Sequence, residues 1–185
     1  MARIRSGFML GISVAGALGA SDGYPADVKL QTPDYYGSTP LLPGIAGRLL
    51  VMGALTDYLN IGFFAARGNF GNGTWSVTSG GGGLRAEVFP LISVCSCAVP
   101  TWLTRGFGIY GEAGVGGVTT QVKAAGTFED ISGIQSHLAL GVLQEFFAGR
   151  NFTFAPDLRY EVVTSSSADK NALALGVRIA WYPGN

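Results

Sequence analysis

The C-terminal stretch from Asn171 to Tyr182 reads NALALGVRIAWY and alternates between two kinds of residue without interruption. Its large apolar residues occupy every second position, namely Leu173, Leu175, Val177, Ile179 and Trp181. Side chains on a β-strand point to opposite faces with a period of two. The pattern therefore predicts a strand that has one large apolar face.

The other face of this strand carries small residues and a single charge, Arg178. A sheet face in contact with water carries mainly lysine, glutamate and threonine, whereas small residues with one charge suit a narrow, crowded interior. The large aliphatic face then has to point outward, into lipid. The stretch therefore predicts the closing strand of a transmembrane β-barrel, whose strands need about 9–11 residues to cross a bilayer.

The composition of the 185-residue chain also favours a barrel. Hydrophobic residues make up 48% of the chain, yet no uncharged apolar run is long enough for a membrane helix. The 29 glycines also occur inside apolar stretches, where each would cost a helix roughly 1 kcal/mol relative to alanine. The length predicts one domain, 1–185, and the absence of a clustered basic patch predicts no nucleic-acid partner.

Residues 1–20 fit two interpretations. Arg3 and Arg5, followed by an apolar run, resemble a secretory signal with a small-residue cleavage site at 17–19. The same run alternates as a strand does, with one face formed by Phe8, Leu10, Ile12, Val14 and Leu18. Because a signal core is apolar without such a period, we favour a first strand, which puts any leader outside this chain.

The alternation along the whole chain predicts an eight-stranded antiparallel up-and-down barrel. The predicted strands cover 8–20, 44–56, 59–67, 74–89, 107–122, 133–147, 152–165 and 171–182. Segments rich in proline, glycine and polar residues separate them. The run Gly80–Gly83 is interpreted as a place where a strand bends around a narrow barrel.

Aromatic residues collect at one rim of this barrel and predict a girdle at a membrane interface. They are Phe8, Tyr58, Phe89, Phe107, Phe146, Phe147, Phe152, Phe154, Trp181 and Tyr182.

The chain resembles a known class of membrane proteins. Gly176, Ile179 and Trp181 match the spacing of the C-terminal assembly signal of bacterial outer-membrane proteins, although Ala174 replaces its usual polar residue. The whole pattern resembles the small eight-stranded outer-membrane barrels, the class of OmpX and of the transmembrane part of OmpA. The resemblance implies the bacterial outer membrane, with the termini in the periplasm and the longer loops outside. The connection 90–106 departs from it, because periplasmic turns of this class are short.

Charged residues at inward positions predict a cross-linked lumen. They are Arg48, Arg85, Glu87, Glu112, Glu145, Asp157, Arg159, Glu161 and Arg178. An eight-stranded barrel is just wide enough for side chains to fill it, and an unpaired buried ion costs several kcal/mol. The near balance of signs therefore favours a closed lumen, with a gated proton or ion path as the alternative.

The sequence predicts no catalytic site, no metal site and no cofactor. A lipid-modifying hydrolase would need a serine, a histidine and an acid within hydrogen-bond reach. Ser136 and His137 are adjacent on a strand and point to opposite faces, while Glu145 lies roughly 26 Å further along it. Cys95 and Cys97 are too close in sequence for an ordinary disulfide and are interpreted as incidental, with a strained redox pair as the alternative.

The first loop, 21–43, is the predicted contact surface for a protein partner. Tyr35 and Tyr36 supply large contact area at low entropic cost. We therefore expect a structural, adhesive or partner-binding protein that uses its loops, or the connection 90–106, and membrane lipid is the other expected partner. A lipid-modifying enzyme and a narrow channel are the alternative functions.

Overall fold

A computed structural model describes residues 5, 7–25, 29–93, 101–123 and 131–183. Eight antiparallel strands form the barrel wall, and β6 is interrupted once, at Glu145. The strands are β1 (Gly7–Gly23), β2 (Leu42–Thr56), β3 (Leu59–Gly71), β4 (Trp75–Val88), β5 (Phe107–Val122), β6 (Ile131–Gln144, continued by Phe146–Ala148), β7 (Phe152–Thr164) and β8 (Ala168–Trp181).

The barrel closes where β8 pairs with β1. Their register runs from Leu10 opposite Trp181 to Gly23 opposite Ala168. The other edge of β1 pairs with β2, so the N-terminal strand has a partner on both sides. The predicted fold class is therefore confirmed, and so is the interpretation of 8–20 as a strand.

Burial follows the alternation that the sequence predicts. On β8, the side chain of Leu175 is 64% exposed, whereas that of the preceding Ala174 is 3% exposed. The outer surface is a belt of exposed aliphatic side chains, and inward positions carry small, polar or charged side chains together with buried apolar ones such as Leu50 and Phe64. Such a belt is characteristic of a barrel wall that faces lipid.

The connections define two rims. Among the described residues, the loop rim consists of 24–25, 29–41, 72–74, Lys123 and 165–167. The terminus rim consists of the described residues of the two chain ends with 57–58, 89–93, 101–106 and 149–151. The first loop holds a 3-10 turn, Pro33–Tyr35, and a two-residue strand, Gly37–Ser38, that pairs with β1.

The connection 90–106 at the terminus rim contains a 3-10 turn, Pro90–Ser93, and a short helix α1, Thr101–Gly106. Cys95 and Cys97 lie outside the described residues. Nowhere in the described ranges is there a helix that is long and apolar enough to cross a membrane.

Several strands are longer at the loop rim than predicted. β3 continues to Gly71, so most of the predicted loop 68–73 is strand, because Gly68 pairs with Ser79. A tight turn remains, in which the side-chain oxygen of Asn72 accepts hydrogen bonds from the backbone N–H groups of Thr74 and Trp75, both at 2.8 Å.

Two inward glycines allow β4 and β5 to approach closely. A Cβ atom on Gly83 would overlap the carbonyl oxygen of Ala113, and one on Gly114 would overlap that of Gly82. No residue with a Cβ atom fits at either position without a shift of the backbone. The bend that the sequence predicts near 80–83 stays a prediction.

Candidate functional site

Charged side chains of alternating sign form a continuous ion-paired chain through the lumen, from the terminus rim to the loop rim. Each of them is at most 7% exposed. In order, this lumen chain consists of Arg5, Glu145, Arg178, Glu87, Arg85, Glu112, Arg48, Glu161 and Lys170.

The terminus-rim end of the lumen chain is organised around Glu145. This residue interrupts β6, and its backbone N–H donates to the carbonyl oxygen of Gly106 at 2.8 Å. Its carboxylate accepts hydrogen bonds from Arg5 Nε at 2.8 Å, from Arg5 Nη2 at 2.6 Å and from the Tyr182 hydroxyl at 2.9 Å. It also accepts one from Arg178, which bridges it to Glu87.

Glu112 on β5 holds the middle of the lumen chain. Its carboxylate accepts hydrogen bonds from Arg85 Nη1 at 2.6 Å and from Arg48 Nε at 3.0 Å. His137 Nε2 lies 3.7 Å from the same carboxylate, beyond ordinary hydrogen-bond length. Two cations from two other strands therefore meet one buried carboxylate inside the lumen.

Lys170 ends the lumen chain at the loop rim. Its ammonium group donates to Glu161 Oε1 at 2.6 Å and to Ser79 Oγ at 2.7 Å, and it lies 4.6 Å from the centre of the Phe70 ring. The sequence prediction placed Lys170 in the last loop. In the structure it lies on β8, because the alternation of that strand continues to Ala168.

Asp157 and Arg159 form a second cluster beside the lumen chain. Arg159 donates to Asp157 at 3.1 Å and to the Ser13 hydroxyl at 3.4 Å, and the Tyr110 hydroxyl also donates to Asp157. The guanidinium of Arg85 lies 3.4 Å from the centre of the Tyr110 ring, which connects this cluster to the lumen chain. The structure thus brings all of the predicted inward charges into the lumen, and it adds Arg5 and Lys170.

Arg5 closes the terminus rim. It is 0% exposed, and its guanidinium lies 3.5 Å from the centre of the Phe89 ring. It donates to the carbonyl oxygens of Asp57 and Arg105, at 3.2 and 2.9 Å. Arg5 precedes the alternating run, so the sequence pattern identified it only as a possible signal-peptide charge.

The prediction of an aromatic girdle is wrong for two of its residues. Phe89 and Tyr182 are both 0% exposed and face the lumen. Phe89 lies two positions after the inward Glu87 on β4, and Tyr182 lies four positions after the inward Arg178 on β8. The period of two along a strand therefore turns both side chains away from lipid. Of the others, Phe107 and Phe146 are half-buried, and the rest are exposed at the terminus rim, namely Phe8, Tyr58, Phe147, Phe152, Phe154 and Trp181.

Apolar side chains fill the remaining lumen. A cluster that includes Leu42, Phe70, Val77 and Val118 lies towards the loop rim. Two further clusters lie towards the terminus rim, one around Met9, Leu50, Met52 and Phe64, the other around Phe89, Tyr110 and Leu143. A void of about 10 Å³ is lined by Ser79, His137 and Glu161, among others, which is near the minimum for one water molecule.

The predicted contact residues Tyr35 and Tyr36 are exposed at the loop rim, by 43% and 49%. Tyr36 donates its hydroxyl to Asp22 at 2.9 Å, and its ring centre lies 5.3 Å from that of Tyr24. This hydrogen bond and the negative charge of Asp22 raise the pKa of Tyr36 above its usual value. Lys29 Nζ lies 4.3 Å from the centre of the Tyr35 ring.

No protein-family model matches this chain, and no curated protein sequence matches it. Solved structures do match. Ail, the attachment invasion locus protein of Yersinia pestis, is similar with a TM-score of 0.56 and 15% identity, covering 95% of this chain and 99% of Ail. Neisserial surface protein A is similar with a TM-score of 0.54 and 12% identity, covering 94% of this chain and 96% of that protein.

The chain has the fold of the small eight-stranded outer-membrane β-barrels. At these identities the likeness concerns the fold, and it covers nearly the whole chain. Together with the exposed aliphatic belt, the fold places the chain in the bacterial outer membrane, as predicted.

The barrel separates Ser136, His137 and Glu145, the three groups near one another in sequence that a hydrolase would have to combine. Ser136 is exposed on the outer face of β6, whereas His137 is 2% exposed inside the lumen. Glu145 lies at the terminus rim, where Arg5 and Arg178 bind it. Among the described residues, no group of three or more histidine, cysteine, aspartate or glutamate residues is placed to hold a metal ion.

Proposed function

We propose that this outer-membrane barrel is a non-enzymatic protein with a closed lumen that acts by binding a partner at its loop rim. The observation that carries the proposal is the lumen chain, which crosses the barrel from Arg5 to Lys170 without a break in its ion pairs. A conducting path would have to separate these pairs, and separating a buried pair costs several kcal/mol.

The loop rim supports the binding role. Tyr24, Tyr35 and Tyr36 present aromatic surface on a loop that is attached to β1 through the hydrogen bond to Asp22. A contact surface that is ordered before binding loses little entropy when a partner arrives. The fold neighbour Ail is named the attachment invasion locus protein, and one of its structures is a complex with the heparin analogue sucrose octasulfate. The connection 90–106 is a second expected contact surface, at the terminus rim.

Planar-bilayer recording tests the closed lumen. The refolded wild-type barrel should give no steady conductance, while a variant that loses two cations of the lumen chain, Arg48→Ala with Arg85→Ala, should give intermittent openings. Steady and reproducible wild-type conductance would overturn the closed-lumen proposal.

Loop and enzyme assays test the other half of the proposal. Cells that display the barrel should adhere to immobilised partner proteins, and the double variant Tyr35→Ala, Tyr36→Ala should lose adhesion while it keeps its heat-dependent gel mobility. Undiminished adhesion in that variant would show that Tyr35 and Tyr36 are not part of the contact surface.

Release of fatty acid from phospholipid, abolished in His137→Ala, would establish an enzyme instead of a binding protein.

A further inference from the structure

One basic side chain of the barrel wall points outward. Six arginines and lysines lie on the described strands, and five of them are buried in the lumen, namely Arg48, Arg85, Arg159, Lys170 and Arg178. The sixth, Arg67 on β3, is exposed on the outer face. Its side chain forms no ion pair or hydrogen bond with any residue that the structure describes. An outward charge on a lipid-facing wall is costly near the bilayer centre and tolerated near an interface.

The height of Arg67 along the barrel places it at the interface on the loop side. It lies nine positions after Tyr58, an exposed girdle residue of the terminus rim. With about 3.3 Å per residue and a strand tilt of about 40°, its height above the girdle is about 23 Å, against an apolar band of about 25 Å. On β3 and β4 the outer face turns polar just beyond it, where the Thr78 hydroxyl donates to Asn69 at 3.3 Å.

The guanidinium stands at one end of an apolar groove on the outer wall. The groove has a volume of about 280 Å³, and its lining includes Ile12, Val14, Gly47, Leu49, Ala65 and Arg67 itself. Glycines flank Arg67 on both neighbouring strands, since Gly47 and Gly80 are its register partners. No side chain therefore stands directly beside Arg67 on either neighbouring strand, and the groove continues from it towards the membrane centre.

We propose that Arg67 and this groove bind an anionic phospholipid-type molecule of the leaflet on the loop side. The planar guanidinium matches a phosphate group with two parallel hydrogen bonds, and the positive charge complements the head group. One acyl chain lies over Ile12, Leu49 and Ala65. The occupant is a lipid and not a soluble anion, because the groove that continues from the cation is apolar.

Native mass spectrometry on the full chain tests the site. The barrel is released from nanodiscs of phosphatidylcholine that contain a minor fraction of phosphatidylglycerol, and retained phosphatidylglycerol is measured. Two variants address the site: Arg67→Gln removes the charge, and Gly47→Leu fills the groove. A Cβ atom on Gly47 would meet only the Ser13 carbonyl oxygen, at 3.7 Å, so a side chain can begin there without a clash. Arg150→Gln, which removes an exposed cation in a turn at the terminus rim, is the control.

Arg67→Gln should reduce phosphatidylglycerol retention at least tenfold, because the loss of one charge-assisted hydrogen bond already corresponds to about a factor of ten or more in affinity. Gly47→Leu should reduce it with the charge intact, and Arg150→Gln should leave it unchanged. Heat-dependent gel mobility verifies that each variant is folded. Equal retention in wild type and Arg67→Gln would overturn the site. Unchanged retention in Gly47→Leu would overturn the assignment of the groove to the acyl chain. Inorganic phosphate is added as a competitor, and its full displacement of phosphatidylglycerol would overturn the lipid as the ligand.

Discussion

Replacing Arg178 by methionine removes the cation that joins two carboxylates of the lumen chain. The Arg178 guanidinium is buried and donates to both Glu87 and Glu145. Methionine keeps most of the aliphatic stem and removes the charge and the donors. Each carboxylate keeps one other cation, because Glu87 is also paired with Arg85 and Glu145 with Arg5. The variant therefore loses two ionic hydrogen bonds without leaving an isolated carboxylate.

The expected loss in the free energy of unfolding follows from these contacts. A hydrogen bond to a charged group contributes about 1.5–3 kcal/mol, so two of them sum to about 3–6 kcal/mol. Removing one partner of a buried ion pair costs about 3–5 kcal/mol in general. Because each carboxylate keeps its second cation, we expect Arg178→Met to lose about 3–4 kcal/mol, within the lower part of the first range.

Urea unfolding of the refolded barrel in detergent measures this loss, with heat-dependent gel mobility and tryptophan fluorescence as the two signals. Arg150→Met is the matched control, because Arg150 is exposed in a turn. It should stay within about 0.5 kcal/mol of wild type. A loss below about 1 kcal/mol in Arg178→Met would refute the view that the lumen chain stabilises the barrel.

Three further perturbations probe other parts of the molecule. Arg5→Ala should lower the free energy of unfolding and speed proteolysis at the terminus rim, as measured by limited digestion. Gly83→Ala should destabilise the barrel by about 1–3 kcal/mol in urea unfolding, because its Cβ would overlap the backbone of β5. Gly80→Ala, whose Cβ has 3.6 Å of space, is its control. Asp22→Asn should lower the pKa of Tyr36 in an ultraviolet absorbance titration.

The sign of the Tyr36 effect on stability follows from the direction of its pKa. Asp22 favours the neutral phenol, so the pKa of Tyr36 in the folded protein lies above the value in the unfolded chain. Its contribution is present below the unfolded pKa and is lost as the pH rises through the folded one. A variant titration that coincides with that of wild type would contradict the role of Asp22.

The sequence predicts which residues of each strand face inward because side chains alternate between the two faces with a fixed period of two. Parity alone assigned Arg48, Glu112 and Arg178 to the lumen. The same rule, extended one step past the strand ends, also accounts for the inward Phe89 and Tyr182. The girdle prediction is wrong for these two because a side chain near a rim still follows the alternation of its strand and can face the lumen. Lys170 was missed for a related reason, since β8 starts at Ala168 and not at 171.

The sequence by itself determined that the wall alternates, which face meets lipid and which charges enter the lumen, because these depend only on local strand geometry. The tertiary structure decided which charges meet. Arg5 binds Glu145 across 140 residues, and Arg48 binds Glu112 across 64 and Glu161 across 113. These pairings depend on how the strands tilt and stagger when the barrel closes. The alternation of residues along each strand carries no information about that stagger, so only the closed barrel decides which ions become partners.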